Sequence, residues 1–177
     1  MLQKIIARIL RVVKLDRTVW GEIEADEAAN TEAVAIVVVA YLLSALGSAL
    51  AVWLYGGRFG TGLGTFFLRL ISGVLLSWLL WAYVTMLVGT KLFGGEATFW
   101  EMGRTLGYAS APAAVGILAA IPCLGPIIGL VAGLLSLVLG FFAIREALDL
   151  PTDKSIFTIL ISWVIVFVLS SAVLLII

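Results

Sequence analysis

Polar side chains interrupt one of the most apolar parts of the chain, the segment GRTLGYASAPAAVG over residues 103–116. It contains Arg104, Tyr108 and Ser110, followed by Pro112. A serine or tyrosine hydroxyl can act as a nucleophile or acid only beside a base that activates it. The chain has no histidine, and no carboxylate stands at a catalytic spacing from these hydroxyls. The segment therefore favours binding over catalysis, and we expect no enzyme activity.

The residue types also argue against a metal site and against redox chemistry. Cys123 is the single cysteine, so an intramolecular disulfide is excluded and no cysteine cluster is available for a metal. Without histidine, the commonest metal ligand is also missing. We expect no metal, no cofactor and no nucleic-acid partner.

The composition is that of an integral membrane protein. Of 177 residues, 63% are hydrophobic and only 12% are charged, with a mean hydropathy of +1.19. Soluble domains have about half of their residues apolar and about a quarter charged. The charged residues are also clustered, and the clusters separate long apolar stretches.

Five of these stretches are long enough to cross a bilayer as helices, which takes ~20 apolar residues. The sequence thus predicts an all-α integral membrane protein with five transmembrane helices over residues 34–177. A cytoplasmic amphipathic helix and an acidic linker precede them in residues 1–33. Because the first span begins far from Met1, we expect no cleaved targeting peptide. The predicted spans are Val34–Tyr55, Leu70–Phe93, Phe99–Ile121, Leu124–Leu148 and Ile156–Ile177.

The positive charges predict the orientation of these spans. With the N-terminus inside, nine Lys and Arg residues lie inside, and only Arg58 and Arg69 lie outside. Such a bias predicts a cytoplasmic N-terminus and, with five spans, a C-terminus outside. All eleven acidic residues fall on the same inner side, so we expect polar recognition there. The nine are Lys4, Arg8, Arg11, Lys14, Arg17, Lys91, Arg104, Arg145 and Lys154.

The N-terminal segment over residues 2–20 has a basic face with Lys4, Arg8, Arg11 and Lys14 opposite an apolar face. This pattern is typical of a helix that lies in the headgroup plane and is attracted to anionic lipid. Two other interpretations stay open, a simple topogenic signal and a docking helix for a partner. The acidic stretch GEIEADEAANTE that follows is interpreted as a linker that keeps this helix apart from the first span.

Small residues at four-residue spacing mark close packing between membrane helices. The third and fourth spans carry such rows and are joined by a short turn, PCLGP at residues 122–126. We therefore expect them to form a tight antiparallel hairpin resembling a glycine zipper. The packing glycines are Gly103, Gly107, Gly125, Gly129 and Gly133.

The start of the third span fits a capping box, with Thr98 as N-cap and Glu101 at N3. Equal distances from the hairpin turn predict ion pairs of Arg104 with Glu146 and of Glu101 with Arg145. Further along, Pro112 should kink the helix. Two interpretations of this region stay open, a kinked, closely packed helix end with interfacial polar groups and a niche that binds a ligand.

Three stretches together resemble the Yip domain, the Ypt-interacting-protein family: GGEATFWEMGRTLGYASAP (94–112), IREALDLPTDKSI (144–156) and TVWGEI (18–23). The resemblance implies a five-helix membrane domain with a cytosolic N-terminus. Eukaryotic members act in traffic between the endoplasmic reticulum and the Golgi and bind prenylated Rab-type GTPases. They carry a long cytosolic N-terminal region that this chain lacks, so the chain resembles the short prokaryotic-type members of the family. We therefore expect it in a prokaryotic cytoplasmic membrane.

The polar residues that match the family motifs, together with Pro112, are the candidates for binding a partner or lipid. We expect a non-enzymatic scaffold or adaptor that recruits protein partners or organises lipid from its cytoplasmic face. The alternative is a small transporter, channel or lipid-translocating protein. The partners expected are membrane lipids and other membrane proteins or further copies of the chain. The motif residues are Arg104, Tyr108, Ser110, Arg145, Glu146 and Asp149.

Overall fold

Helices and the turns between them make up the part of the chain that the structure describes. A computed structural model describes the backbone of residues 2–176 and the side-chain environment through Ser171. Over that range the chain contains no strand. Between residues 2 and 176, eight α-helices are accompanied by one π-helical and one 3₁₀-helical segment. They are α1 Leu2–Val13, α2 Thr18–Ala25, α3 Ala29–Leu54, α4 Phe59–Val74, the π segment Leu75–Leu80, α5 Trp81–Phe93, α6 Phe99–Ala109, the 3₁₀ segment Ala111–Ala120, α7 Leu124–Ala147 and α8 Thr152–Ile176.

Four helical runs are long and apolar enough to cross a membrane, so the chain is a polytopic membrane protein. They correspond to four of the five predicted spans. The first begins earlier than predicted, and the second extends back through α4 as a continuous run of 35 residues. The last residue of the final predicted span, Ile177, lies outside the described residues. The four runs are Ala29–Leu54, Phe59–Phe93, Leu124–Ala147 and Thr152–Ser171.

The predicted third span is not one continuous α-helix. It consists of α6, with 11 residues, and the 3₁₀ segment, with 10 residues. The helix type changes at Pro112, which has no N–H to donate to an α-helical bond. There the Ala113 N–H donates to the Ser110 carbonyl at 2.9 Å, a three-residue step. The kink expected at Pro112 is thus a change from α-helix to 3₁₀-helix.

This mixed helix runs alongside α3 in very close contact. A Cβ added to Gly107 would lie 2.6 Å from the Cβ of Ala33, and one added to Gly116 would lie 2.8 Å from the Cβ of Ser44. The path from Ala33 to Ser44 is about 16 Å at ~1.5 Å per α-helical residue. The path from Gly107 to Gly116 has two fewer residues. Because 3₁₀ residues rise ~2.0 Å each, it covers about the same distance.

The acidic stretch after α1 is not a linker that keeps two helices apart, as the sequence predicted. Its last four residues begin α3. Its first five belong to α2, on which Val19, Trp20 and Ile23 are buried. This short helix packs against α6 and α7. Burial of a tryptophan and two branched aliphatic side chains holds α2 on the bundle, because each buried side chain of this size contributes about 1.5–3 kcal/mol.

The π segment joins α4 to α5 and turns Trp78 into the bundle. The indole Nε1 of Trp78 donates a 2.9 Å hydrogen bond to the carbonyl oxygen of Gly103 on α6. A widened turn of this kind is rare and shifts the side chains that follow it relative to a regular α-helix. Here it fixes the start of α6 against the second apolar run.

Candidate functional site at the charged end of the bundle

Most charged side chains lie at one end of the bundle, where α3 and α6 begin and α7 ends. We call this the charged end. Five side chains there, Arg8, Asp26, Glu32, Arg104 and Tyr108, form what we call the polar cluster. Four of them are buried, with exposed fractions of 8% for Arg8, 3% for Glu32, 5% for Arg104 and 0% for Tyr108. Buried charges are rare and must be paired.

Glu32 lies at the centre of this cluster, in the first turn of α3. Its Oε2 accepts a 2.5 Å hydrogen bond from the Tyr108 hydroxyl and a 2.9 Å hydrogen bond from Arg8 Nη1. One carboxylate oxygen therefore connects α1, α3 and α6. Bonds to an ionised group are roughly twice as strong as neutral ones, so this junction fixes the relative position of three helices.

Asp26 forms the outer part of the cluster. Its Oδ2 accepts from Lys4 Nζ at 2.6 Å and lies 2.8 Å from Arg8 Nη2. These bonds, the one from Lys4 foremost, lower the pKa of Asp26 to about 2. Burial opposes the charge on Arg8, but its bonds to Asp26, Tyr108 and Glu32 leave the Arg8 pKa above its ordinary value. Asp26 and Arg8 therefore both carry their charges at neutral pH.

Arg104 closes the end of α2. Its Nε donates to the carbonyl oxygen of Glu24 at 2.7 Å, its Nη2 donates to the same oxygen, and its Nη1 donates to Asn30 Oδ1 at 3.2 Å. The last carbonyls of a helix have no partner within it. A cation at that position also interacts favourably with the helix dipole. Arg104 thus anchors both α2 and the start of α3.

The two predicted ion pairs are wrong. Arg104 bonds Glu24 on α2 and Asn30 on α3 instead of Glu146, because α2 packs against both α6 and α7. Glu101 forms the predicted capping box, which is confirmed. Its Oε2 accepts from the Thr98 N–H at 2.6 Å, and Thr98 Oγ1 accepts from the Glu101 N–H. Its other oxygen lies 3.8 Å from Arg104 Nη2, as a neighbour on the same helix.

The basic face of α1 meets acidic side chains of the chain itself. Besides Lys4 and Arg8, Arg11 bonds Asp16 at 2.8 Å and both oxygens of Glu22 at 2.7 and 2.8 Å. The Arg11 guanidinium lowers the pKa of Glu22, and lowers that of Asp16 to about 2. Three of the four basic residues expected to face anionic lipid are therefore paired internally. Lys14 is exposed.

A second group of carboxylates lies beside α2. Burial raises the pKa of Glu24, and the negative charges of Asp149, Glu146 and Glu101 raise it further. Glu146 approaches α2 closely, since a Cβ on Gly21 would lie 3.1 Å from its Oε1. In the part of the chain that the structure describes, no group of three or more acidic or cysteine side chains is arranged to hold a metal ion.

The comparisons with known proteins decide the family. A family model of the Yip1 domain matches residues 13–174. The chain belongs to the Yip1 domain family. No curated protein and no solved structure matches it. Members of the family are membrane proteins that are generally not enzymes.

The remaining candidate residues of this Yip1 domain are spread around the charged end. The Ser110 hydroxyl donates to the Gly107 carbonyl at 2.7 Å, within its own helix end. Pro112 is buried, Arg145 is half-buried near the end of α7, and Asp149 is exposed with a positive φ of 50°. The structure therefore joins Arg104 and Tyr108 to the N-terminal segment but does not gather all seven candidates in one pocket.

The glycines of the Yip1 domain differ in their surroundings. A Cβ on Gly107 or Gly125 would collide with a neighbour, Ala33 on α3 or Ala119 in the 3₁₀ segment. A Cβ on Gly103 would have only Trp100 within 4 Å. One on Gly129 or Gly133 would have nothing within 4 Å. The close packing of α6 thus involves α3, while two glycines of α7 face open space.

Four members of the site were not singled out from the sequence: Glu24, Asp26, Asn30 and Glu32. One signal was available for Glu32, which stands two residues before the predicted first span, where a carboxylate needs a partner. The sequence does not identify the main-chain carbonyl of Glu24 as the acceptor of Arg104, because a residue of any type can supply a main-chain acceptor.

Proposed function

We propose that the protein is a non-enzymatic membrane scaffold or adaptor, which recruits protein partners or organises lipid from the charged end. The polar cluster is the observation that carries this proposal. Arg104 and Tyr108, two polar residues of the family motif, bond Glu24 on α2 and Glu32 in the first turn of α3. Groups engaged in this way are not available to a substrate, which supports a structural use of the motif.

The exposed side of α1 supports a docking role for the N-terminal segment. Arg8 and Val12 are buried, while Leu2, Ile6 and Leu10 are about half exposed or more. An apolar helix face held at the end of a membrane bundle suits contact with the headgroup region or with a partner helix. The internal pairing of Lys4, Arg8 and Arg11 supports a fixed orientation of this face.

We further propose five crossings, with the N-terminus in the cytoplasm and the C-terminus outside. The 3₁₀ segment and α6 together rise about 36 Å, more than the ~30 Å of a bilayer core. Their contact with α3 over matched distances supports a path through the same layer. The excess of Lys and Arg at the charged end, nine against two, supports its cytoplasmic placement.

A second candidate function, transport or lipid translocation, draws on one cavity of about 460 Å³ between α3, the π segment, α7 and α8. Three hydroxyl residues, Tyr41, Ser77 and Ser136, line it together with Trp81 and Trp163. Among the described residues that line it there is no lysine, arginine, aspartate or glutamate, whereas coupled transporters usually place ionisable groups near the midplane. Uptake or lipid scrambling by the purified protein in liposomes tests this candidate.

Site-specific photocrosslinking in cells tests the scaffold proposal. A photoreactive amino acid is placed at Ile6, exposed on α1, and as a control at Phe59, exposed at the far end. We expect discrete protein adducts from Ile6 and none from Phe59. The Ile6 adducts should weaken when Arg104→Ala releases the N-terminal segment. Lipid adducts alone at Ile6 would support the lipid-organising form of the proposal. The absence of any adduct at Ile6, or equal adducts at both positions, would overturn the proposal.

A further inference from the structure

An apolar groove of about 390 Å³ runs along the seam between α7 and the 3₁₀ segment. Its upper wall is the end of α1, with Ile9 and Val13, and its sides are formed by Pro112, Val115, Val131 and Leu135. On α7 the lining extends down to Ile127, so the groove is about 12 Å long at ~1.5 Å per residue. It therefore leads from the charged end into the apolar part of the bundle.

Two cations stand at the charged-end mouth of this groove. Lys14 follows Val13 directly, and Arg17 lies with its guanidinium carbon 5.2 Å from the ring centroid of Phe142 on α7. Both side chains are exposed. Unlike Lys4, Arg8 and Arg11, neither of them forms an ion pair with another side chain within residues 2–171.

The dimensions of the groove decide what can occupy it. A volume of 390 Å³ over about 12 Å leaves a cross-section of roughly 30 Å². An α-helix with side chains is ~10–12 Å across, which is about 80–110 Å². A transmembrane helix could therefore pack across the groove but not enter it, whereas a single hydrocarbon chain is narrow enough to lie inside.

We propose that this groove is a binding site for an anionic phospholipid. One acyl chain lies between α7 and the 3₁₀ segment, beneath Ile9 and Val13. The phosphate group lies at the mouth, where Lys14 and Arg17 supply positive charge. The site requires the charged end to lie at a membrane surface, which is part of the proposed function, but it does not depend on the recruitment of any protein.

The headgroup part of the site is tested by lipid competition. The full-length protein is reconstituted in vesicles of equal parts dioleoylphosphatidylglycerol and dioleoylphosphatidylcholine, extracted in mild detergent and purified, and the retained lipids are quantified. We expect phosphatidylglycerol to be enriched. Each basic residue near a membrane surface attracts anionic lipid by about fivefold, so Lys14→Gln with Arg17→Gln should remove most of that enrichment.

Two controls separate a specific site from general charge attraction. Lys91→Gln removes an exposed charge at the same end, and Arg58→Gln with Arg69→Gln removes two exposed charges from the far end. Each control should reduce the enrichment less than the Lys14 and Arg17 double variant does, because its charges do not stand at the groove. The proposal is overturned if the wild-type protein shows no preference, or if the Lys14 and Arg17 double variant behaves like the controls.

The acyl-chain part is tested by filling the groove. Ala132 lines it, whereas Leu134 lies outside it and is 58% exposed. We expect Ala132→Phe to reduce the retained amounts of both phosphatidylglycerol and phosphatidylcholine, and Leu134→Phe to leave them unchanged. If Ala132→Phe aggregates, Ala132→Leu replaces it. Equal lipid retention in the two variants, or a change in oligomeric state in place of lipid content, overturns the proposal. Failed photocrosslinking at Ile6 leaves these results unaffected.

Discussion

The hydroxyl of Tyr108 donates a 2.5 Å hydrogen bond to Oε2 of Glu32, joining two residues that are 76 positions apart in the chain. The same oxygen accepts from Arg8 at 2.9 Å. Both acceptor bonds lie away from solvent, where an unpaired carboxylate would be very unfavourable. The start of α3, the last turn of α6 and the N-terminal helix are therefore held together by one buried carboxylate.

Replacing Glu32 alone should lower the free energy of unfolding more than replacing Glu32 and Arg8 together. Glu32→Leu leaves the buried Arg8 to its ion pair with Asp26 and leaves the buried Tyr108 hydroxyl without its acceptor. It should destabilise the protein by about 3–5 kcal/mol. The double variant Glu32→Leu with Arg8→Met should recover much of that loss. Tyr108→Phe removes one charge-assisted bond and should cost about 1.5–3 kcal/mol. Thermal unfolding in detergent, followed by size-exclusion chromatography, measures all three, and a double variant less stable than Glu32→Leu would contradict the account.

The Asp26 carboxylate should make the protein acid-sensitive below pH 4. Its pKa is lowered to about 2 in the folded protein by Lys4 and Arg8. The resulting stability is present above the ordinary aspartate pKa near 4, and it is lost as the pH falls from about 4 to about 2. Asp26→Asn lacks this contribution at every pH. Its unfolding temperature should therefore lie below that of the wild-type protein at pH 6 and approach it at pH 2, whereas a constant difference would refute the assignment.

Ionisation of Glu24, in contrast to that of Asp26, should destabilise the folded protein. Burial and the nearby charges of Asp149, Glu146 and Glu101 raise its pKa, so the ionised form is less favourable in the folded protein. Stability should rise as the pH falls through that raised pKa. Glu24→Gln keeps the main-chain carbonyl that binds Arg104 and removes the charge. We expect a higher unfolding temperature at pH 7 than for the wild-type protein, and a lower one would show that the carboxylate is stabilising.

The sequence predicted the helices better than it predicted their contacts. Hydropathy identified four apolar runs because the length of a bilayer-crossing helix is fixed by physics. The capping box at Thr98 was also predicted from the sequence, since both of its members lie within one helical turn. The sequence did not predict the change to a 3₁₀-helix after Pro112, because a proline in a transmembrane segment is equally compatible with a simple kink.

The partners of the polar residues were harder to predict because they depend on tertiary packing. Arg104 and Glu146 lie at similar distances from the hairpin turn, which made an ion pair reasonable. That argument assumed that nothing lies between the two helix ends. The buried Trp20 and Ile23 place α2 there, and the Glu24 carbonyl becomes the acceptor. A short acidic stretch with two large apolar residues was the available sign of a packed helix.

The contact between α3 and the 3₁₀ segment should tolerate no side chain at Gly47. A Cβ there would overlap the Gly116 carbonyl oxygen and lie 2.6 Å from Ile117 Cα. These are backbone atoms that cannot move aside individually, so Gly47→Ala should destabilise the protein by more than about 2 kcal/mol. Gly129→Ala is the matched control, because nothing lies within 4 Å of its added Cβ. It should be neutral or gain up to about 1 kcal/mol from helix propensity.

Hydrogen exchange of the α2 backbone, residues 18–25, tests most directly whether the motif arginine holds the N-terminal segment on the bundle. It is measured by mass spectrometry on the full chain in lipid nanodiscs. In the wild-type protein α2 should be protected, and Arg104→Ala should accelerate its exchange at least tenfold, since it removes charged bonds of about 1.5–3 kcal/mol each. Exchange in α7 should stay unchanged, as it should everywhere in the control Arg58→Ala. Unprotected α2 in the wild-type protein, or equal protection in both variants, would contradict the central claim.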